Sequence, residues 1–230
     1  VNEYNEKRLE DTIEEYLISE TGGYTRSTDS TYISELGLDT EKLLAFIKTS
    51  QGFEWEKFTN KFKNNPEKNF LLKLDDAIKK QGILKVLRTG FKTRGIKFKI
   101  VYFQPVSSLN ETDKANYSKN ICNVVRQLHY QVKGNNSLDM VLMINGIPLV
   151  TMELKNQFTG QNVENAKHQY RYDRDPNEAI FKYKYRSLVH FAVDVKEVYM
   201  TTRLQKENTF FLPFNQGTNG SGNVGGKGNP

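Results

Sequence analysis

The stretch at 137–157, SLDMVLMINGIPLVTMELKNQ, constrains the fold more than any other part of the chain. Two β-rich runs flank Asn145-Gly146, which is the sequence of a tight hairpin. Side chains two apart in a strand share a face, so Leu149, Thr151, Glu153 and Lys155 point one way, while Met152 and Leu154 point into an apolar layer. Asp139 stands at the open end of the first run. A strict two-residue turn sets Asp139 opposite Met152, on the wrong face to meet Glu153. A three-residue loop sets it opposite Thr151, with Glu153 its diagonal neighbour. Convergence of Asp139, Glu153 and Lys155 therefore requires an odd number of loop residues or a bulge in the hairpin.

Around this hairpin the chain divides by periodicity. Leu9, Ile13, Tyr16 and Leu17 recur at helical spacing with glutamates between them, and Gly22-Gly23 closes the segment. Helical patterns follow over 39–62 and 69–87, so the first ninety or so residues read as mainly helical. Alternation at 96–103 and 121–132 predicts strands; 163–174 predicts a helix stopped by Asp175-Pro176; 188–193 and 198–202 predict two short strands. Helices followed by strands with helices inserted give an α/β or α+β sheet rather than a bundle. No internal repeat is evident. Residues 1–214 form the expected domain, and 215–230, rich in Gly and Asn, read as a linker or truncated boundary.

Composition narrows the class. A chain of 230 residues with 37% hydrophobic and 26% charged side chains can bury a globular core. No apolar run is long enough to span a bilayer, and the charged first ten residues are not a secretory signal, so a cytoplasmic protein is expected. The single Cys122 excludes an internal disulfide and a cysteine-cluster zinc site; it reads as a buried structural thiol. His129, His168 and His190 lie on separate elements without the spacing of a zinc site. Lys and Arg exceed Asp and Glu by 33 to 27, an excess that permits phosphate contacts without requiring them. There is no phosphate-binding loop of the P-loop form.

Two carboxylates and a lysine at one sheet end suit hydrolysis of a phosphodiester. A hard cation such as Mg²⁺ binds carboxylate oxygens and keeps several waters, so a pair of acids suffices when substrate phosphate completes the shell. A lysine beside them can orient or deprotonate the attacking water and offset charge on the pentavalent state. The spacing alone also fits ordinary solvated charges protecting a sheet edge.

The blocks VVRQLHY, NNSLDMVLMINGIPLVTMELKNQFTGQ, AKHQYRYDRDP, LVHFAVDVKEVYMTTRL and FFLPFNQG occur in this order within 102–214. In them the chain resembles the N-terminal region of the R subunit of type I restriction endonucleases, whose nuclease belongs to the PD-(D/E)xK superfamily. The resemblance implies a restriction-endonuclease-like central mixed sheet flanked by helices. It also implies Mg²⁺-dependent cleavage of duplex DNA alongside modification and specificity subunits, with ATP used by a motor region beyond this chain. On that likeness Asp139 and Glu153 are the metal-binding acids and Lys155 the catalytic lysine. The family's first-helix acid falls first on Glu10 and second on Glu14. A family glutamine is followed four residues later by tyrosine; here Gln169 is followed at that distance by Asp173, and Tyr172 lies three away. Gln169 is read as a contact to DNA or to the lysine.

Arg171, Arg174, Lys182, Lys184 and Arg186 alternate with Tyr170, Tyr172, Phe181, Tyr183 and Tyr185, a pattern that can follow a DNA backbone or line an exposed loop. Phe210, Phe211, Leu212 and Phe214 can close the core or dock a further domain. Two other functions stay open at this level. One is a DNA-binding or docking module that has kept the fold without the chemistry, and the other is a stand-alone repair nuclease of the same superfamily.

Overall fold

A seven-stranded mixed sheet carries the chain in a computed structural model that describes residues 2–106, 110–156 and 160–214. The linker expected over 215–230 lies outside the described residues. After α1 (Asn2–Ile18) come β1 (Thr25–Ser27), β2 (Tyr32–Ile33) and β3 (Leu38–Asp39). Four helices follow: α2 (Thr40–Ser50), α3 (Gly52–Lys61), α4 (Pro66–Gln81) and α5 (Ile83–Thr89). The helical first third is thus as the periodicity predicts. Strands β4 (Phe91–Thr93) and β5 (Ile96–Phe98) form a separate two-stranded hairpin, so the run at 96–103 stops early and does not join the main sheet. Helix α6 (Glu111–Tyr117) leads into β6 (Cys122–His129), β7 (Ser137–Ile144) and β8 (Ile147–Leu154), which pair antiparallel in succession. Helix α7 (Val163–His168) runs directly into a π-helical turn, Gln169–Asp173, and crosses over to β9 (Val189–Val193), parallel to β8. The sheet is completed by β10 (Val198–Thr201) and β11 (Leu212–Pro213), and on its other edge by β1, parallel to β6. Among the described residues no helix is long and apolar enough to cross a membrane.

Three apolar clusters hold these layers. Leu9, Ile13 and Leu17 of α1 lie against Val124, Met140, Leu142 and Leu154 on one face of the sheet. Val141, Val125 and Ala192 pack with Ala166, Tyr170 and Phe181 on the other. The helical third has its own centre, where Phe58, Phe70 and Phe98 meet edge to face. Burying each such aromatic or aliphatic side chain is worth roughly 1.5–3 kcal/mol, so the apolar stripes alone dictate which face each helix presents.

The β7–β8 hairpin ties the sheet to the helical third. Asn145 and Gly146 both take positive φ, 50° and 76°, as a two-residue turn of this hand requires. Gly146 sits so close to α2 that a Cβ would lie 2.1 Å from the Asp39 carbonyl oxygen. Asn145 is fully buried; its Oδ1 accepts from the Ile121 N–H at 2.7 Å, and its Nδ2 donates to the Ile100 carbonyl at 2.8 Å and to Asn120 at 3.0 Å. Replacing Asn145 with alanine strands these backbone groups. It should lower the unfolding free energy by about 2–4 kcal/mol in urea denaturation, and a loss within about 0.5 kcal/mol would contradict this account of the turn.

Candidate active site

The hairpin register decides whether the acids meet. Ile144 pairs with Ile147 and Met143 with Pro148, as a two-residue turn dictates; one step on, Leu142 pairs with Val150, Val141 with Thr151 and Met140 with Met152. Leu149 is therefore the extra residue of a bulge. Pro148, with no N–H for the ladder, sits at the irregularity where a strand tolerates it. The turn is thus the plain form, and the bulge supplies the correction. It shifts Asp139 away from Met152 and level with Glu153, on the face shared by Val141 and Thr151.

Beyond Met140 and Met152 the paired ladder ends, and the sheet parts around Asp139. The Leu154 N–H, between the candidate acid and the candidate lysine, donates to Asp139 Oδ2 at 2.7 Å. Lys155 Nζ lies 3.9 Å from that same oxygen, and the lysine is only 6% exposed. On the other side of Asp139, Gln127 adopts a left-handed conformation, φ 49°, and drops out of the otherwise regular β6–β7 pairing. A non-glycine residue held there costs stability and needs surroundings that enforce it. Its side chain supplies them: Nε2 donates to Glu10 Oε1 at 2.9 Å and approaches Asp139 Oδ1 at 3.5 Å, while Oε1 accepts from the Ser137 hydroxyl at 2.9 Å.

Glu10 is thus brought to the same end of the sheet. It is buried rather than a surface charge, as is Glu14, because Arg126 reaches across from β6. Arg126 Nε and Nη2 donate to Glu10 Oε2 at 2.9 and 2.6 Å, and Nη1 donates to Asp11 and Glu14. Burial pushes the Glu10 pKa up; Arg126 opposes this, and the Asp139 charge adds to it. Glu14 also pairs with Arg26 at 2.9 Å, so its charge serves the seating of α1.

Glu153 has no solvent exposure. Arg174 Nε donates to its Oε1 at 2.6 Å, whereas its Oε2 is buried without a hydrogen-bond partner among the described residues. Burial, with the Asp139 charge adding to it, pushes the Glu153 pKa up to about 8 against the opposing pull of Arg174 and Lys155. Since Oε1 is taken by a donor, Oε2 is the oxygen left to carry a proton or a cation. Among the described residues no three His, Cys, Asp or Glu side chains cluster as a complete metal cage. The donor set is two carboxylates, which suits a hard cation whose remaining ligands are water and substrate oxygen, and the orphaned Oε2 is a place for one.

The remaining sequence candidates separate. Gln169 lines a cleft of about 520 Å³ with Asn135, Asn136, Ser137, Asp139, Asp173 and Arg174, and its Oε1 is also buried without a hydrogen-bond partner among the described residues. Tyr172 points away, 60% exposed, its ring tilted against that of His168 with centroids 4.5 Å apart; Tyr170 instead is buried, bonded to Thr151, which also meets His190. Arg174 does not belong to an exposed basic strip, because the π-turn rotates it inward to Glu153, and Arg186 is likewise buried on Asp75. Arg171 bonds to the Thr209 carbonyl and lies over Phe211; Lys182 and Lys184 are exposed, each over a neighbouring tyrosine ring. Spacing does not single out Gln127 or Arg126, since a left-handed glutamine and a long-range guanidinium contact leave no periodic trace.

A family model described as the N terminus of type I restriction enzyme R proteins matches residues 3–209, including the helical first third. A protein of Methanocaldococcus jannaschii, whose name assigns it as the endonuclease subunit of a type I restriction enzyme, is 32% identical over 167 residues. The aligned part is 69% of this chain and 14% of that protein.

Proposed function

Because the chain belongs to the family of type I restriction enzyme R protein N termini, a membership that supports a restriction endonuclease role, we propose that Asp139, Glu153 and Lys155 form the centre of a Mg²⁺-dependent nuclease of the PD-(D/E)xK kind acting on duplex DNA. The observation that carries this reading is the bulge at Leu149, without which Asp139 would lie opposite Met152 rather than level with Glu153. Asp139 and Glu153 would hold the divalent cation, Glu153 through Oε2. When bound, the cation supplies Lewis-acid stabilisation of the phosphodiester. Lys155, fixed beside Asp139, orients the attacking water, takes up its proton or offsets the charge that grows on phosphorus. The Leu154 N–H holds Asp139 Oδ2 in place, and Gln127 holds Glu10 within reach as a supporting acid. Gln169, which lines the cleft beside Asp139, and the exposed Lys182 and Lys184 are DNA contacts in this reading. The domain would work inside a larger assembly with modification and specificity subunits and an ATP-driven motor.

Displacement of a proton from Glu153 by the cation gives a direct test. With the folded carboxyl titrating near pH 8, metal affinity rises as pH rises toward that value, and binding near neutrality releases about one proton per ion. Calorimetry of Mn²⁺ binding in buffers of different ionisation heat should show that release, and Glu153→Gln should abolish it. Binding that is indifferent both to pH and to loss of Asp139 contradicts the assignment.

A second reading draws on one specific observation: Glu153 already has a cationic partner in Arg174. In a docking or DNA-binding module without chemistry that pair would be the end state, and DNA binding would be unaffected by Mg²⁺ or by loss of either acid.

A further inference from the structure

Arg174 is held from three directions. Its Nε donates to Glu153 Oε1 at 2.6 Å, its Nη2 donates to the Ser137 carbonyl at 3.0 Å, and its Nη1 lies 3.4 Å from the Tyr130 hydroxyl. Its side chain is 6% exposed. The backbone is fixed as well, since the Arg174 N–H closes the π-turn on the Gln169 carbonyl at 3.1 Å. A π-turn in place of a regular helical end is rare and recurs at functional sites, and here Gln169 at its start and Arg174 just past its end both line the cleft. Two of the three anchors, Ser137 and Tyr130, are independent of Glu153. The guanidinium is therefore a fixed wall, not a latch that swings away when a cation arrives.

We propose that Arg174 is a positioning residue of the candidate metal site: by holding Oε1 it commits Glu153 to present Oε2 alone as a one-oxygen ligand. A carboxylate free to rotate can chelate a cation through both oxygens, which takes a coordination position needed by water or substrate, or turn away from Asp139, which takes a ligand from the cation. The planar fork of arginine suits the task, because it can grip a carboxylate and a carbonyl at once, which an ammonium cannot do with the same rigidity. Partners that orient a metal ligand in this way are typically worth about 10- to 100-fold in metal affinity or activity. The inference rests on the nuclease reading given above.

The test compares Arg174→Gln, Arg174→Lys and Tyr130→Phe in the whole protein, free of nucleotide, with Mn²⁺ binding followed by electron paramagnetic resonance and folding followed by thermal denaturation. Arg174→Gln should weaken Mn²⁺ binding by about 10- to 100-fold and change the spectrum of the bound ion, with Arg174→Lys intermediate. Tyr130→Phe, which loosens one anchor while leaving Glu153 its partner, should shift affinity in the same direction by a smaller factor. If Arg174→Gln does not fold, the lysine and phenylalanine variants carry the test. Folded variants that bind Mn²⁺ with wild-type affinity and spectrum overturn the role of Arg174 alone. A wild-type protein that binds no Mn²⁺ overturns the nuclease reading itself, so the two failures are distinct.

Discussion

Replacing Lys155 with alanine should lower the rate of DNA cleavage by the assembled enzyme by a factor of about 10²–10⁴, the usual worth of a positioned proton-transfer or charge-stabilising group. Three features make the effect this large. Lys155 is buried, it lies 3.9 Å from Asp139 Oδ2, and its backbone N–H is fixed to the Val193 carbonyl at 2.8 Å. An ammonium so placed acts in a site with little water to substitute for it. ATP-driven translocation, which the proposal assigns to another region of the larger protein, should be unchanged in the same variant. Cleavage kinetics beside a translocation assay measure both, and cleavage retained at the wild-type rate counts against Lys155 as a catalytic residue.

Glu153→Ala should be the most destabilising single change at the site. It takes the accepting oxygen from a guanidinium that is itself buried, and leaving a buried charged donor unsatisfied costs about 3 kcal/mol or more. Glu153→Gln keeps a carbonyl oxygen for the Arg174 Nε and should fold with a much smaller loss, yet it removes the anionic ligand. The two substitutions thus separate structure from chemistry: alanine lowers the melting temperature and cleavage together, glutamine lowers cleavage while largely sparing the fold. The pH dependence follows the same logic. The folded carboxyl titrates above its ordinary range, so folding takes up a proton there, and metal-free stability falls as pH rises from the ordinary carboxylate range through about 8. Glu153→Gln should flatten that slope in melting curves recorded across pH.

Much of the architecture follows from residues that announce themselves. Leu9, Ile13 and Leu17 give α1 its seam, and Asn145-Gly146 gives the hairpin its turn. The Asp175-Pro176 pair marks the end of the crossover helix within a residue or two. The short strands were harder to read for physical reasons. β1 is three residues, Thr25–Ser27, with little apolar content, and exists only because β6 offers it an edge. The run at 96–103 alternates convincingly, yet only its first part is paired, through the tight turn at Arg94-Gly95. The candidate site was legible as a set of names and not as a geometry. Whether Asp139 could meet Glu153 hinged on one extra residue in β8, and nothing in LMINGIPLV other than Pro148 hints at where a bulge would fall. Arg174 had the spelling of a surface cation; its inward turn depends on the π-helical end of α7, a departure from regular periodicity that spacing cannot register. Gln127 and Arg126 are long-range partners of α1, more than a hundred residues away in sequence.

The central claim is that Asp139 and Glu153, made neighbours by the bulge, share one divalent cation beside Lys155. A crystal soaked in Mn²⁺ tests it most directly, by anomalous scattering. The expected result is a single peak within bonding reach of an Asp139 oxygen and Glu153 Oε2, with Arg174 still on Oε1. A well-ordered site with no peak, or with the two carboxylates on opposite faces of the sheet, would contradict it.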